Sequence, residues 1–194
     1  MRPRMIVVAG PPGSGKSSLY PVARFGVACF NADDRAAELN GGSYVAISPA
    51  IRQRVNREFE EFIGGQIERR ESFAIETTLR SAVTFEQALS ARANGFSVEM
   101  RYLALASFTM HFERVKARSD AGGHSASETT LRDIYHSSLA NLPRAVREMD
   151  KLWVYDNSRL DVSHPIVLEA EAGVIRYLTP DLPAWLTTAL PGIV

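Results

Sequence analysis

An α/β fold, with a central, mostly parallel five-stranded sheet flanked by helices, is what this sequence predicts, and three observations predict it. Short apolar runs alternate with helix-spaced amphipathic stretches along the chain, the pattern of parallel strands joined by helical crossovers. The first apolar run ends on a glycine-rich segment that opens directly into a helix pattern. The 194 residues contain no internal repeat, low-complexity tract or long linker, so a single domain spanning residues 1–194 is expected.

Residues 5–9 are continuously apolar, as in a strand buried on both faces. A helix is expected from residue 16 to about residue 24, and residues 27–30 read as a second buried strand. Cys29, the single cysteine, cannot form an internal disulfide and reads as a small buried side chain of that strand. Asn31, Ala32, Asp33 and Asp34 then offer caps for a helix running to Leu39, which the Asn40-Gly41-Gly42-Ser43 cluster ends. Between residues 49 and 70, Ile51, Val55, Phe59, Phe62 and Ile67 recur at near-helical spacing, a long amphipathic helix. Gly64 and Gly65 lie inside it, each costing about 1 kcal/mol relative to Ala, which leaves open a break or a close packing contact.

A third strand at residues 73–75, a helix at 83–93 closed by Asn94-Gly95, and a fourth strand at 96–106 continue the alternation. Helices at 107–118 and 127–142 flank the Gly122-Gly123 loop, and residues 152–155 form a fifth strand. Two β-like pieces around Ala172-Gly173 suggest a hairpin, so residues 162–194 are expected to form a C-terminal hairpin and a Pro-rich tail.

Twenty-two basic residues balance twenty-two acidic ones, so no global field favours nucleic acid or an anionic membrane surface as a partner. No apolar run approaches the roughly 18 residues that span a bilayer, and a cytoplasmic protein is expected.

The chemistry concentrates in Gly10-Pro11-Pro12-Gly13-Ser14-Gly15-Lys16-Ser17, a full G-x-x-x-x-G-K-[ST] match placed between a strand and a helix. Its glycines let successive N–H groups turn inward around phosphate oxygens, and the following helix adds its positive end. Lys16 is expected to reach the β- and γ-phosphates of ATP, Ser17 to ligate Mg²⁺, and Ser18 to complete the nucleotide-binding set. The chain therefore reads as a P-loop NTPase fold of the nucleoside-kinase-like kind.

Asp33 lies 17 residues after Lys16 at the end of the second predicted strand, positioned to take a proton from an acceptor hydroxyl. It and Asp34 are also N-cap candidates. Glu76, with Thr77 beside it, ends the third strand and could bind acceptor hydroxyls or the water of Mg²⁺. No apolar run ends in the Asp-Glu pair of a motor ATPase, which favours a small-molecule kinase. Arg114 and Arg118 share a helical face and are expected to form an arginine lid at residues 114–132 that could stabilise the transferring phosphoryl group, with His124 a candidate further member.

Four segments together resemble the bacterial zeta toxins and related P-loop kinases. They are Ala9 to Ser17, Asn31-Ala32-Asp33, Phe73-Ala74-Ile75-Glu76-Thr77-Thr78-Leu79, and the stretch from Arg114 through Gly122-Gly123-His124 to Leu142. The resemblance implies that Lys16 and Ser17 hold ATP·Mg²⁺, that Asp33 is the general base, that Glu76 helps hold the acceptor, and that Arg114 contacts the γ-phosphate. It implies a UDP-N-acetylglucosamine or related UDP-sugar as acceptor and an antitoxin protein as partner. His124 stands near where the best-known members place a second γ-phosphate arginine, and Arg118 or Arg132 could supply that charge. Two other readings stay open: a regulatory nucleotide-binding ATPase without an acceptor, and a kinase of a nucleoside, a sugar acid or a nucleic-acid end.

Overall fold

The computed structural model describes residues 2–120, 126–159 and 165–192. Its sheet holds seven strands in the order β2-β3-β1-β4-β5-β6-β7. The strands are β1 (Arg4–Ala9), β2 (Ala28–Phe30), β3 (Phe73–Thr77), β4 (Ser97–Ala104), β5 (Lys151–Asp156), β6 (Ile166–Glu171) and β7 (Val174–Leu178). The first five run parallel, whereas β6 and β7 pair antiparallel. The expected five strands thus become seven, because the C-terminal hairpin does not stand apart but adds its backbone hydrogen bonds to the free edge of β5.

Among the described residues the helices are α1 (Lys16–Leu19), α2 (Ala32–Leu39), α3 (Pro49–Arg69), α4 (Val83–Ala93), α5 (Phe108–Asp120), α6 (Glu128–Ala140), α7 (Leu142–Glu148) and α8 (Ala184–Ala189). None is long and apolar enough to cross a membrane. The first helix is far shorter than expected. Pro21 stands just past its C-cap Tyr20 and has no N–H to continue the ladder, so a 3₁₀ turn at Val22–Phe25 replaces the predicted second half. By contrast α3 runs unbroken through Gly64 and Gly65; Gly64 faces open space, and a Cβ at Gly65 would meet only the end of the Arg69 side chain.

The apolar residues of β1 are all fully buried, which puts this strand at the centre of the sheet. Met5, Val7 and Ala9 face a large core shared with Phe73, Ile75, Met100, Tyr102, Leu152 and Val154 and roofed by residues of α3, α4, α6, α7 and α8. The opposite face has a smaller core of Ile6, Val8, Ala74, Leu103 and Tyr155, covered by Leu19, Tyr20, Val22 and Phe25. There the Arg101 guanidinium lies 5.7, 5.0 and 4.8 Å from the ring centroids of Tyr20, Phe25 and Trp153.

Cys29 departs from expectation. Its strand is three residues long at the edge of the sheet, pairs only with β3, and leaves the thiol exposed. The register sets the ends of the strands together, since Ala9 pairs with Thr77 and Tyr102, and Phe30 with Ile75. Gly10, Asn31 and Glu76 consequently emerge at one carboxyl edge, where ligands of open parallel sheets bind.

Candidate functional site

The phosphate loop leaves β1 at Gly10 and closes at Gly15, the residue before α1. Gly15 adopts φ +93°, and a Cβ there would stand 2.3 Å from the Asn157 side-chain nitrogen, so this turn accepts no larger residue. Ser14 is fully buried, and its Oγ has no hydrogen-bond partner among the described residues.

Lys16 is also buried, and its Nζ donates to the carbonyl oxygens of Gly10 at 2.9 Å and Pro11 at 3.2 Å. Burial pushes its pKa down; the negative charges of Glu76 and Asp33 act against this, and Arg118 adds to it. The Ser17 hydroxyl donates to Glu76, 3.0 Å from Oε2 and 3.4 Å from Oε1, and Lys16 Nζ lies 3.8 Å from Oε1 of the same carboxylate. The three groups form one contact between the start of α1 and the end of β3. An orphaned buried hydroxyl and a buried ammonium resting on carbonyl oxygens fit a polyphosphate, and the hard oxygens of Ser17 and Glu76 fit Mg²⁺.

Asn31, not Asp33 or Asp34, caps α2: its Oδ1 accepts from the N–H groups of Asp33 at 3.0 Å and Asp34 at 3.4 Å. An Asx side chain one residue before the helix has its oxygen above the free N–H groups, whereas a carboxylate inside the first turn has only the helix dipole to serve. Asp33 is thereby left exposed and within electrostatic reach of Lys16. Asp34 instead accepts from the Tyr44 hydroxyl at 2.8 Å. The Thr77 hydroxyl accepts from Leu79 N–H at 3.1 Å and lies 3.4 Å from the Thr84 hydroxyl, so it braces the turn in which Leu79 takes φ +57°.

On the lid side, Arg114 Nη2 donates to the Asn157 carbonyl oxygen at 2.9 Å. Arg118, one turn further along α5, is exposed and acts electrostatically on Lys16 and on Tyr44. Arg132 pairs with Glu128 at 2.7 Å and sits 4.1 Å from the centroid of Phe108. The expected lid member His124, with Gly122 and Gly123, lies outside the described residues.

Two residues without an assigned role prove to hold the loop. His111 is buried against it and contacts the Pro12 carbonyl. Asn157 donates its side-chain N–H to Ser14 O at 2.8 Å, while its own N–H reaches Ala104 O at 2.9 Å. Signals for both existed: His111 precedes Arg114 by three positions, hence shares its helix face, and Asn157 lies two residues past the fifth predicted strand, at its carboxyl end. Neither signal says that the phosphate loop is the neighbour.

No protein-family model matches the chain, and no curated protein matches it. Solved structures do. The AvrRxo1-ORF1:-ORF2 complex with ATP matches over 90% of this chain and 60% of that one, at 14% identity and a TM-score of 0.70. The PezAT chromosomal toxin-antitoxin system of Streptococcus pneumoniae matches over 98% of this chain and 79% of that one, at 14% identity and a TM-score of 0.65. The Pnkp1/Rnl/Hen1 RNA repair complex matches over 74% of this chain at 18% identity and a TM-score of 0.58, with this chain spanning 46% of its matched chain. These similarities establish the fold as that of P-loop proteins; this chain spans less than two thirds of the matched AvrRxo1 and RNA-repair chains and 79% of the PezAT one.

Proposed function

We propose that the chain is an ATP-dependent phosphotransferase that moves a γ-phosphate onto an acceptor hydroxyl. The observation that carries this reading is the Lys16–Glu76–Ser17 contact at the carboxyl edge of the sheet. A loop that only held nucleotide would need Lys16 and Ser17; the exposed Asp33 carboxylate, within electrostatic reach of Lys16, supplies what a transfer reaction needs further, a base for the acceptor.

In this reading Lys16 exchanges its carbonyl partners for phosphate oxygens, and the loop N–H groups and Ser14 hydroxyl bind the remaining oxygens. Ser17 would hold Mg²⁺, and Glu76 would accept from the waters of the ion or from the acceptor; when bound, the ion would supply neutralisation of phosphate charge. Asp33 takes the acceptor proton as the new O–P bond forms and the bond to ADP breaks. Arg118, exposed on the face of α5 that acts on Lys16, balances charge on the transferring group, while Arg114 holds the segment after β5 and reaches the γ-phosphate if it leaves Asn157.

For the acceptor, the resemblance of Asn31 to Asp33 and Glu76 to Leu79 to zeta toxins, together with the fold similarity to PezAT, supports a UDP-N-acetyl sugar, and an antitoxin protein as partner. Fold similarity to the RNA repair complex keeps a nucleic-acid end as a second acceptor class, against which the balanced charge argues. Incubation with ATP·Mg²⁺ and a panel of UDP-sugars, nucleosides, sugar acids and 5′-hydroxyl oligonucleotides, followed by mass spectrometry, tests the reading. Gain of one phosphate by a UDP-sugar is the expected result; hydrolysis of ATP without any product would return the chain to a regulatory ATPase.

A further inference from the structure

Both ring nitrogens of the buried His111 are engaged by backbone. Leu105 N–H donates to Nε2 at 3.0 Å, which leaves the proton of the neutral ring on Nδ1, and Nδ1 donates it to the Pro12 carbonyl oxygen at 2.8 Å. That second bond joins the first turn of α5 to the middle of the phosphate loop, where Pro11 and Pro12 have no N–H of their own to anchor the chain. The contact is close on the backbone as well. Gly13 takes φ +79°, and a Cβ there would stand 2.5 Å from the His111 carbonyl oxygen. One residue of α5 therefore meets two successive residues of the loop, Pro12 through a ring hydrogen bond and Gly13 through close backbone approach.

Tyr135 of α6 closes the other side of the ring, with centroids 5.2 Å apart. Burial pushes the imidazole pKa down to about 4, Lys16 and Arg114 add to the lowering, and the Pro12 bond and Asp156 oppose it. At neutral pH the ring thus keeps one donor and one acceptor, as its two backbone partners require.

We propose that His111 is a positioning residue of the phosphate site, its Nδ1–H holding the Pro12 carbonyl toward α5 so that the loop keeps its phosphate-binding shape and stays joined to the helix that carries Arg114 and Arg118. The proposal rests on the reading of residues 10–17 as a phosphate site. A histidine that merely filled the core would affect stability through both of its bonds alike; a positioning residue acts on phosphate through the Pro12 bond alone.

The two bonds separate by substitution. His111→Asn places an amide where Nδ1 stands and keeps a donor for Pro12 while losing the acceptor for Leu105; His111→Gln reaches the Nε2 position and does the reverse. Calorimetric titration with MgATP and with magnesium tripolyphosphate, beside thermal melting, reads the difference. His111→Gln is expected to weaken both ligands by about 10-fold or more while His111→Asn stays within about threefold, although each lowers Tm. Tripolyphosphate carries no adenine, so a loss confined to MgATP would place the effect elsewhere and overturn the proposal. Equal losses in the two variants, or a larger loss in His111→Asn, would overturn it as well. Should either variant fail to fold, ¹⁵N spectra of the wild-type imidazole decide: tripolyphosphate is expected to move the Nδ1 resonance more than Nε2, and an unmoved Nδ1 sinks the idea. Absence of any binding by the wild type would instead remove the phosphate-site reading itself, and the proposal with it.

Discussion

The two sides of the candidate site are built differently. On the phosphate side Pro11, Ser14 and Lys16 are buried, and the loop is tied down by Asn157 at Ser14 and by His111 at Pro12. On the acceptor and lid side Asp33, Asp34, Arg118 and Arg132 are exposed, with Asp34 accepting from the Tyr44 hydroxyl and Arg132 paired with Glu128. The contrast matches what each side has to bind. A polyphosphate is a small, invariant, highly charged group, for which a rigid ring of donors held in advance gives the largest electrostatic return. An acceptor and a transferring phosphoryl group need side chains that can adjust as bonds change.

Substitution on the rigid side should give the largest effect. Lys16→Ala removes the one buried cation of the loop, and transfer from ATP should fall below detection, a loss on the order of several kcal/mol of transition-state stabilisation. Steady-state ATP turnover checks this, and near-wild-type turnover would end the contrast between the two sides.

On the open side the expected effect is smaller and more selective. Asp33→Asn should lower transfer by about 10² or more with the fold and nucleotide binding intact, the usual scale for losing a positioned base. Because Asn31 already caps α2, capping cannot account for that loss. Asp34→Asn is the paired control. It weakens the contact with the Tyr44 hydroxyl and removes the first-turn charge, so stability read by melting should fall by no more than about 1 kcal/mol while kcat holds. If Asp34→Asn stopped transfer and Asp33→Asn did not, the base would sit one residue further along the helix.

Arg114 stands on the border between the sides, and its replacement sharpens the comparison most finely. Arg114→Ala should lower kcat by about 10-fold, more than it raises KM for ATP, if the guanidinium leaves Asn157 to serve the transition state. A rise in KM with kcat unchanged would make the tether to Asn157 its whole function and leave the charge to Arg118.

Much of this was legible along the chain. The strand, loop and helix around residues 10–17 follow from local chemistry, because glycines, lysine and hydroxyl act within one turn of each other. Glu76 was legible from its place at a strand end, since parallel strands in register bring their carboxyl ends to one edge. The exposure of Cys29 was not legible. An apolar run looks alike in a central strand and in an edge strand, and only the strand order shows which it is.

The sequence by itself thus determined the parallel α/β architecture, the phosphate loop and the acidic residues on its edge, all consequences of spacing and periodicity that act over a few residues. Tertiary structure alone decided that the C-terminal hairpin extends the sheet, that Arg114 rests on Asn157, and that His111 and Asn157 hold the loop from 99 and 143 positions away. The physical reason is that a hydrogen bond is set by the separation of two atoms in space. Residue type announces that a buried histidine or asparagine needs partners, and the chain path alone says which backbone carbonyl will be there to meet it.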